Sequence, residues 1–120
     1  MGNRFLICAA LVLSLTSCYQ PERNCKDFKT GDFTFEYELN GEKKFSNFTR
    51  TEAYSIEHYE NKTDTATVRW INDCEFVLNP SDKKNPIHYK ILSTTGNSYT
   101  FEYNVVGKTN KSKGTATKTN

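Results

Sequence analysis

Two stretches of alternating side chains constrain the fold of this chain more than any other feature. In both, large apolar residues occupy every second position: Phe33, Phe35, Tyr37 and Leu39 in the first, and Tyr99, Phe101, Tyr103 and Val105 in the second. Successive side chains of a β-strand point to opposite faces, so this period of two predicts strands with one buried and one wet face. An amphipathic helix would instead repeat its apolar positions three and four residues apart.

A hairpin turn and a return strand follow the first stretch. Residues 40–41 are Asn-Gly, the favoured pair for a two-residue hairpin turn, and a strand is predicted over residues 43–51. The spacing of three between Phe45 and Phe48 breaks the alternation. We therefore predict a bulge near residues 46–47 of this strand.

Further short strand patterns, separated by turn residues, bring the total to about eight. They cover residues 53–59, 65–71, 74–78, 87–94 and 114–118. No helical period is evident after the first apolar run, so the chain is predicted to be all-β, an antiparallel meander. A meander of this size protects its edges best by closing on itself. The first choice is therefore a small lipocalin-like barrel or half-barrel, and the alternative is a two-sheet β-sandwich.

The start of the chain has the pattern of an export signal. Arg4 precedes residues 5–15, which are almost wholly apolar, and this run is too short to span a bilayer, which takes about 20 residues. Residues 15–17, Leu-Thr-Ser, stand directly before Cys18 and resemble a bacterial lipobox. The resemblance implies cleavage before Cys18 and a lipid on that residue. The alternatives are an ordinary secretory signal and a buried N-terminal helix.

These patterns predict three parts: a signal peptide over residues 1–17, a lipidated N-terminus and tether over residues 18–30, and a single β domain over residues 31–120. Two or more acyl chains would hold the protein stably on a bilayer without spanning it. The predicted location is thus the cell envelope. Lipoproteins kept at the inner membrane of diderm bacteria tend to carry Asp after the cysteine. Tyr19 stands there in this chain, so the resemblance favours the outer membrane.

The four cysteines have separate predicted fates. Cys8 would leave with the signal and Cys18 would be lipidated, so Cys25 and Cys74 remain as a pair. The oxidising periplasm permits a disulfide between them, which would close a loop of about 50 residues and stabilise the fold by about 4 kcal/mol. The alternative roles for these two cysteines are a pair of metal ligands or a catalytic thiol. Neither cysteine has a Cys-x-x-Cys or Cys-x-x-His neighbour.

Charge and motifs exclude several classes of function. The chain has 16 Lys and Arg against 14 Asp and Glu, a formal charge of +2, which is not the clustered basic face of a nucleic-acid-binding protein. It contains no GxSxG, HExxH or P-loop motif, and His58 and His88 are isolated in sequence. We therefore expect no enzyme, no catalytic residue, no metal site and no cofactor.

The aromatic rows are the candidate functional feature. Inward-facing side chains of a small barrel either fill its interior as a packed core or line a pocket for one apolar ligand. The residues predicted to line such a pocket are Phe35, Tyr37, Trp70, Phe101 and Tyr103.

Three segments resemble a family of short lipoproteins from flavobacteria (Bacteroidota). They are CKDFKTGDF at residues 25–33, RWINDCEFVL at residues 69–78 and SYTFEY at residues 98–103. The similarity covers most of the chain after Cys18 and includes both remaining cysteines. Some members carry the label "DNA topoisomerase IV", which this sequence does not support, because the chain has no room for a breakage–reunion domain. The family brings no established activity and no site residues.

The expected function is that of a membrane-anchored envelope lipoprotein with a non-enzymatic binding or structural β domain. One alternative is a carrier of small apolar ligands inside the barrel, and another is an inhibitor of a lytic enzyme in the envelope. The expected partners are the membrane, through the lipid anchor, and either an envelope protein or a small apolar ligand. Nucleic acid is not expected.

Overall fold

A computed structural model describes residues 23–81 and 84–120. The predicted signal peptide and Cys18 lie outside the described residues. The strands are β1 (Gly31–Leu39), β2 (Glu42–Arg50), β3 (Tyr54–Tyr59), β4 (Lys62–Asn72), β5 (Glu75–Pro80), β6 (Ile87–Thr95), β7 (Ser98–Val105) and β8 (Ser112–Lys118). Each strand pairs antiparallel with the next, and β8 pairs with β1, so the barrel is closed. The prediction of an all-β meander forming a small barrel is confirmed.

The two ends of the barrel differ. Consecutive antiparallel strands place their connections at alternate ends, so the β2–β3, β4–β5 and β6–β7 turns share one end with the N-terminal segment. We call this end the floor, and we call the opposite end, with the other four connections, the mouth. A 3-10 helix, Cys25–Phe28, lies at the floor. It falls within the stretch predicted to be a tether.

The floor helix is fixed to the barrel at several points. A disulfide joins Cys25 to Cys74 in the β4–β5 turn, as predicted. Phe28 is 2% exposed and packs edge-on against Tyr99, with ring centroids 5.1 Å apart. Just ahead of the helix, the Asn24 backbone N–H donates to the Thr94 hydroxyl at 2.8 Å. Among the residues that the structure describes, no helix is long and apolar enough to cross a membrane.

Aromatic side chains from the alternating strands fill the lower interior. Phe33 of β1 is buried, and its ring stacks on Phe48 of β2 at 4.9 Å. Phe101 of β7 is buried beside Phe35, at 5.2 Å. On β8, Gly114 leaves room for these rings, because a Cβ there would lie 2.9 Å from Phe101 Cζ and still closer to Phe35.

The predicted bulge in β2 is wrong. The β1–β2 register runs without interruption from Gly31 opposite Arg50 to Leu39 opposite Glu42. Phe45 is therefore the residue out of phase with the core, and it points outward and is 60% exposed. Register shifts occur instead between β4 and β5 and between β6 and β7. An uninterrupted β2 places polar side chains inside the barrel.

Candidate functional site

A buried cation lies at the floor of the barrel. Arg50, the last residue of β2, is only 3% exposed. Its Nε donates to the carbonyl oxygen of Lys29 at 3.0 Å, and its Nη2 donates to the carbonyl of Phe28 and to the Tyr99 hydroxyl, the latter at 3.2 Å. The guanidinium thus ties the floor helix to the end of β2. No carboxylate among the described residues forms an ion pair with it.

Aromatic rings surround this guanidinium. Five ring centroids lie 4.7 to 5.8 Å from Arg50 Cζ, those of Phe76, Phe33, Phe48, Trp70 and Tyr99. Removing a cation from water is costly unless it is paired, and ring faces compensate part of that cost because they carry negative potential. Within the described part of the chain, no acceptor is bonded to Arg50 Nη1. One donor group of the guanidinium therefore remains available.

An inner cavity of about 70 Å³ opens above Arg50. Its apolar wall includes Phe35, Phe48, Phe76, Leu78 and Phe101, and its polar groups come from Ser46, Arg50, Ser55, Glu57, Tyr89 and Tyr99. An outer cavity of about 170 Å³ lies towards the mouth, where Asp64 and Lys84 line it. The two share Ser55, Glu57, Leu78 and Tyr89, so they adjoin along the barrel axis.

Among residues 23–81 and 84–120, two polar side-chain atoms are buried without a hydrogen-bond partner. They are Ser46 Oγ, in the wall of the inner cavity, and Trp70 Nε1, beside the guanidinium. Ser46 is 5% exposed. Buried polar groups in folded proteins are nearly always hydrogen-bonded, so each of these two atoms carries a desolvation cost that no partner among the described residues offsets.

Tyr89 stands where the two cavities meet. Burial raises the pKa of its hydroxyl, and the negative charge of Glu57 raises it further, while Arg50 acts in the opposite direction. The hydroxyl is therefore neutral at physiological pH and keeps its proton. It can donate a hydrogen bond into the cavity.

The predicted pocket residues divide into two groups. Phe35 and Phe101 line the inner cavity. Tyr37, Trp70 and Tyr103 do not line either cavity; they pack behind the wall, Tyr37 on Phe35 at 5.1 Å and Trp70 on Phe76 at 4.6 Å. Tyr103 stacks on Tyr89 at 5.5 Å.

The polar residues of the site were not predicted. The sequence pattern assigns four of them to the solvent-facing side of their strands: Ser46, Arg50, Ser55 and Glu57. A signal for two of them was present, because an uninterrupted strand after the Asn-Gly turn puts Ser46, Phe48 and Arg50 on one face.

Outside the barrel, charged groups cluster beside the disulfide. Lys29 Nζ lies 2.9 Å from Asp73 Oδ1, and Lys26 Nζ lies 3.8 Å from the other carboxylate oxygen. The hydrogen bond from Lys29 lowers the pKa of Asp73. Across residues 23–81 and 84–120, no three His, Cys, Asp or Glu side chains are grouped as a metal site would need.

No protein-family model matches the chain, and no curated protein or solved structure is significantly similar to it.

Proposed function

We propose that this chain is a lipid-anchored envelope lipoprotein whose barrel binds a small ligand without transforming it. The observation that carries the binding proposal is the pair of adjoining cavities, which lead from the mouth down to a buried, incompletely bonded Arg50. Pockets for drug-sized ligands have volumes of about 300 to 1,000 Å³. The inner and outer cavities, about 70 and 170 Å³, are smaller. The ligand is thus about the size of one ring or a short chain.

The lining supports binding rather than catalysis. Nucleophilic catalysis by serine needs a base within hydrogen-bond reach of the hydroxyl. Ser46 and Ser55 line the inner cavity, but no histidine, cysteine or lysine is among the described residues that line it. The aromatic wall offers shape and apolar contact, and the polar groups fix the orientation of a ligand.

The membrane anchor is proposed from the sequence around Cys18. The described chain enters the barrel at the floor, where Arg23 and Asn24 precede the 3-10 helix. A lipid on Cys18 would therefore hold the floor near the membrane and direct the mouth away from it. A ligand would enter from the aqueous side.

The anchor is tested by growing cells with a labelled lipid precursor and comparing the wild type with Cys18→Ala. We expect label and membrane fractionation in the wild type and loss of both in the variant. Equal labelling and equal fractionation of the two proteins would contradict the anchor.

Ligand binding is tested by ligand-observed NMR with a set of small apolar and amphipathic fragments. We expect at least one fragment to bind the wild type with a Kd below about 1 mM. Leu78→Phe narrows both cavities and should weaken that binding. Ile71→Phe, at an outer position that is 51% exposed, is the matched control and should leave it unchanged. Absence of binding to every fragment, or equal loss in both variants, would refute a ligand site in the barrel.

A further inference from the structure

We propose that the ligand is a small monocarboxylate with an apolar body, and that its carboxylate accepts a hydrogen bond from the guanidinium of Arg50. This inference rests on the proposed ligand binding and names the chemical class of the ligand.

The cation buried at the floor of the barrel is incompletely paired. Arg50 is 3% exposed, and its described acceptors are two backbone carbonyls and one hydroxyl, all of them neutral. Breaking a buried ion pair is expensive because the remaining charge lacks compensation, and proteins rarely bury such a charge without an anion. Arg50 lines the inner cavity, and its Nη1 has no bonded acceptor among the described residues. An anion in that cavity would meet both needs.

The charged residues that line the two cavities favour an anion with a single negative charge. Among the described residues, Arg50 is the only cationic one in the lining of the inner cavity, so it matches a single negative charge. Glu57 lines both cavities and Asp64 lines the outer one, and their carboxylates would repel a dianion more strongly than a monoanion. Lys84, in the outer lining, partly offsets the field of Asp64 at the mouth. This distribution favours a monocarboxylate over a phosphate ester.

The walls of the two cavities suit a ligand with an apolar body. Phe35, Phe48, Phe76 and Phe101 surround the space above the guanidinium, and Leu78 continues the apolar wall to the outer cavity. Burying each CH₂ of a ligand against such a wall contributes about 0.8 kcal/mol. An inner cavity of about 70 Å³ holds a carboxylate and its nearest carbon atoms, and the outer cavity of about 170 Å³ holds the rest of a short chain or one ring.

The test compares three molecules with the same six-carbon chain: hexanoate, hexan-1-ol and hexylamine. Binding to the purified protein is followed by calorimetry and by the NMR signal of the Trp70 indole N–H, the only tryptophan of the chain, which lies beside the guanidinium. We expect hexanoate to bind at least about tenfold more tightly than hexan-1-ol, because a charge-assisted hydrogen bond is worth at least this factor. Hexylamine should bind no better than the alcohol, and the indole signal should move with hexanoate.

The outcomes separate this proposal from the one it rests on. Equal affinity for hexanoate and hexan-1-ol would overturn the carboxylate assignment and leave ligand binding intact. If none of the three molecules binds and no other fragment binds either, both the carboxylate assignment and the ligand-binding proposal are refuted. Hexanoate binding that leaves the Trp70 signal in place would put the carboxylate elsewhere and would also overturn the assignment.

Two variants test the placement. Arg50→Lys keeps a positive charge but lacks Nη1, so hexanoate should lose its advantage over the alcohol. Since Arg50 also holds the floor carbonyls, that variant must first be shown to keep the wild-type circular dichroism spectrum.

Glu57→Gln does not touch the floor, and it removes the like charge from the cavity. It should strengthen hexanoate binding by about twofold and leave the alcohol unchanged. Glu52→Gln, at an exposed site in the β2–β3 connection, is its matched control. An equal effect of Glu57→Gln and Glu52→Gln would place the carboxylate outside this cavity and overturn the proposal, even if Arg50→Lys does not fold.

Discussion

Removing the Cys25–Cys74 disulfide is expected to destabilise the barrel by about 4 kcal/mol. The two cysteines are 49 positions apart. In the chain-entropy treatment, closing a loop of that length lowers the entropy of the unfolded chain by about 14 cal/mol/K, which is about 4 kcal/mol at room temperature. Stabilities of small domains are about 5 to 15 kcal/mol. The bond would thus provide a large share of the total.

The double variant Cys25→Ala/Cys74→Ala gives the measurement. Alanine avoids a new unpaired hydroxyl at Cys25, which is 2% exposed. Urea unfolding is followed by tryptophan fluorescence and circular dichroism. With a slope of about 1.5 kcal/mol/M, the unfolding midpoint should fall by about 2.7 M. Reduced wild-type protein should behave like the variant. A loss below about 1 kcal/mol would refute the loop-closure argument.

Two further substitutions test packing and charge. Gly114→Ala should cost about 1 to 3 kcal/mol, because the added Cβ has no room beside the Phe35 ring. Thr115→Ala, at the exposed neighbouring position, should lower the free energy of unfolding by less than half as much, as measured by thermal unfolding. Equal losses of stability in the two variants would contradict the packing argument. Asp73→Asn should lower stability at neutral pH, because the hydrogen bond from Lys29 lowers the Asp73 pKa below its usual 3.8 in the folded state. That contribution is present above the unfolded pKa and disappears as pH falls through the folded pKa, so the two unfolding curves should converge below about pH 4. A difference in stability between wild type and Asp73→Asn that stays the same from neutral pH to below pH 4 would contradict this role of Asp73.

The fold was largely predictable from local pattern, and the reasons lie in particular strands. In β1 and β7, large apolar and polar residues alternate in the sequence, and Phe33, Tyr99 and Phe101 on the apolar side are buried. The 3-10 helix Cys25–Phe28 has only four residues, too few to show a period. Its position depends on contacts to Arg50 and Cys74, which are remote in sequence. Such contacts leave no local signal.

The candidate site was predictable only in its apolar part. Large aromatic residues indicate the inner face wherever they alternate, and Phe35 and Phe101 do line the cavity. A polar residue that faces inward has the same sequence signature as one that faces water. Arg50 could therefore not be distinguished from a residue of the wet face. Phe45, exposed on the outside, obscured the true alternation of β2 as well.

The closing pair of strands has a consequence for how this protein folds. Phe33–Glu36 of β1 pair with Thr115–Lys118 of β8, so the ring is completed by segments about 80 residues apart. Contacts of such long sequence separation form slowly, because the loop entropy must be lost before the pairing stabilises the fold. Whether a chain emerges from a ribosome or from a membrane channel, its N-terminus comes first, so β8 is the last strand to become available for pairing. Until then the edges of β1 and β7 are unpaired and the aromatic interior is open, which is the state of this fold most exposed to aggregation.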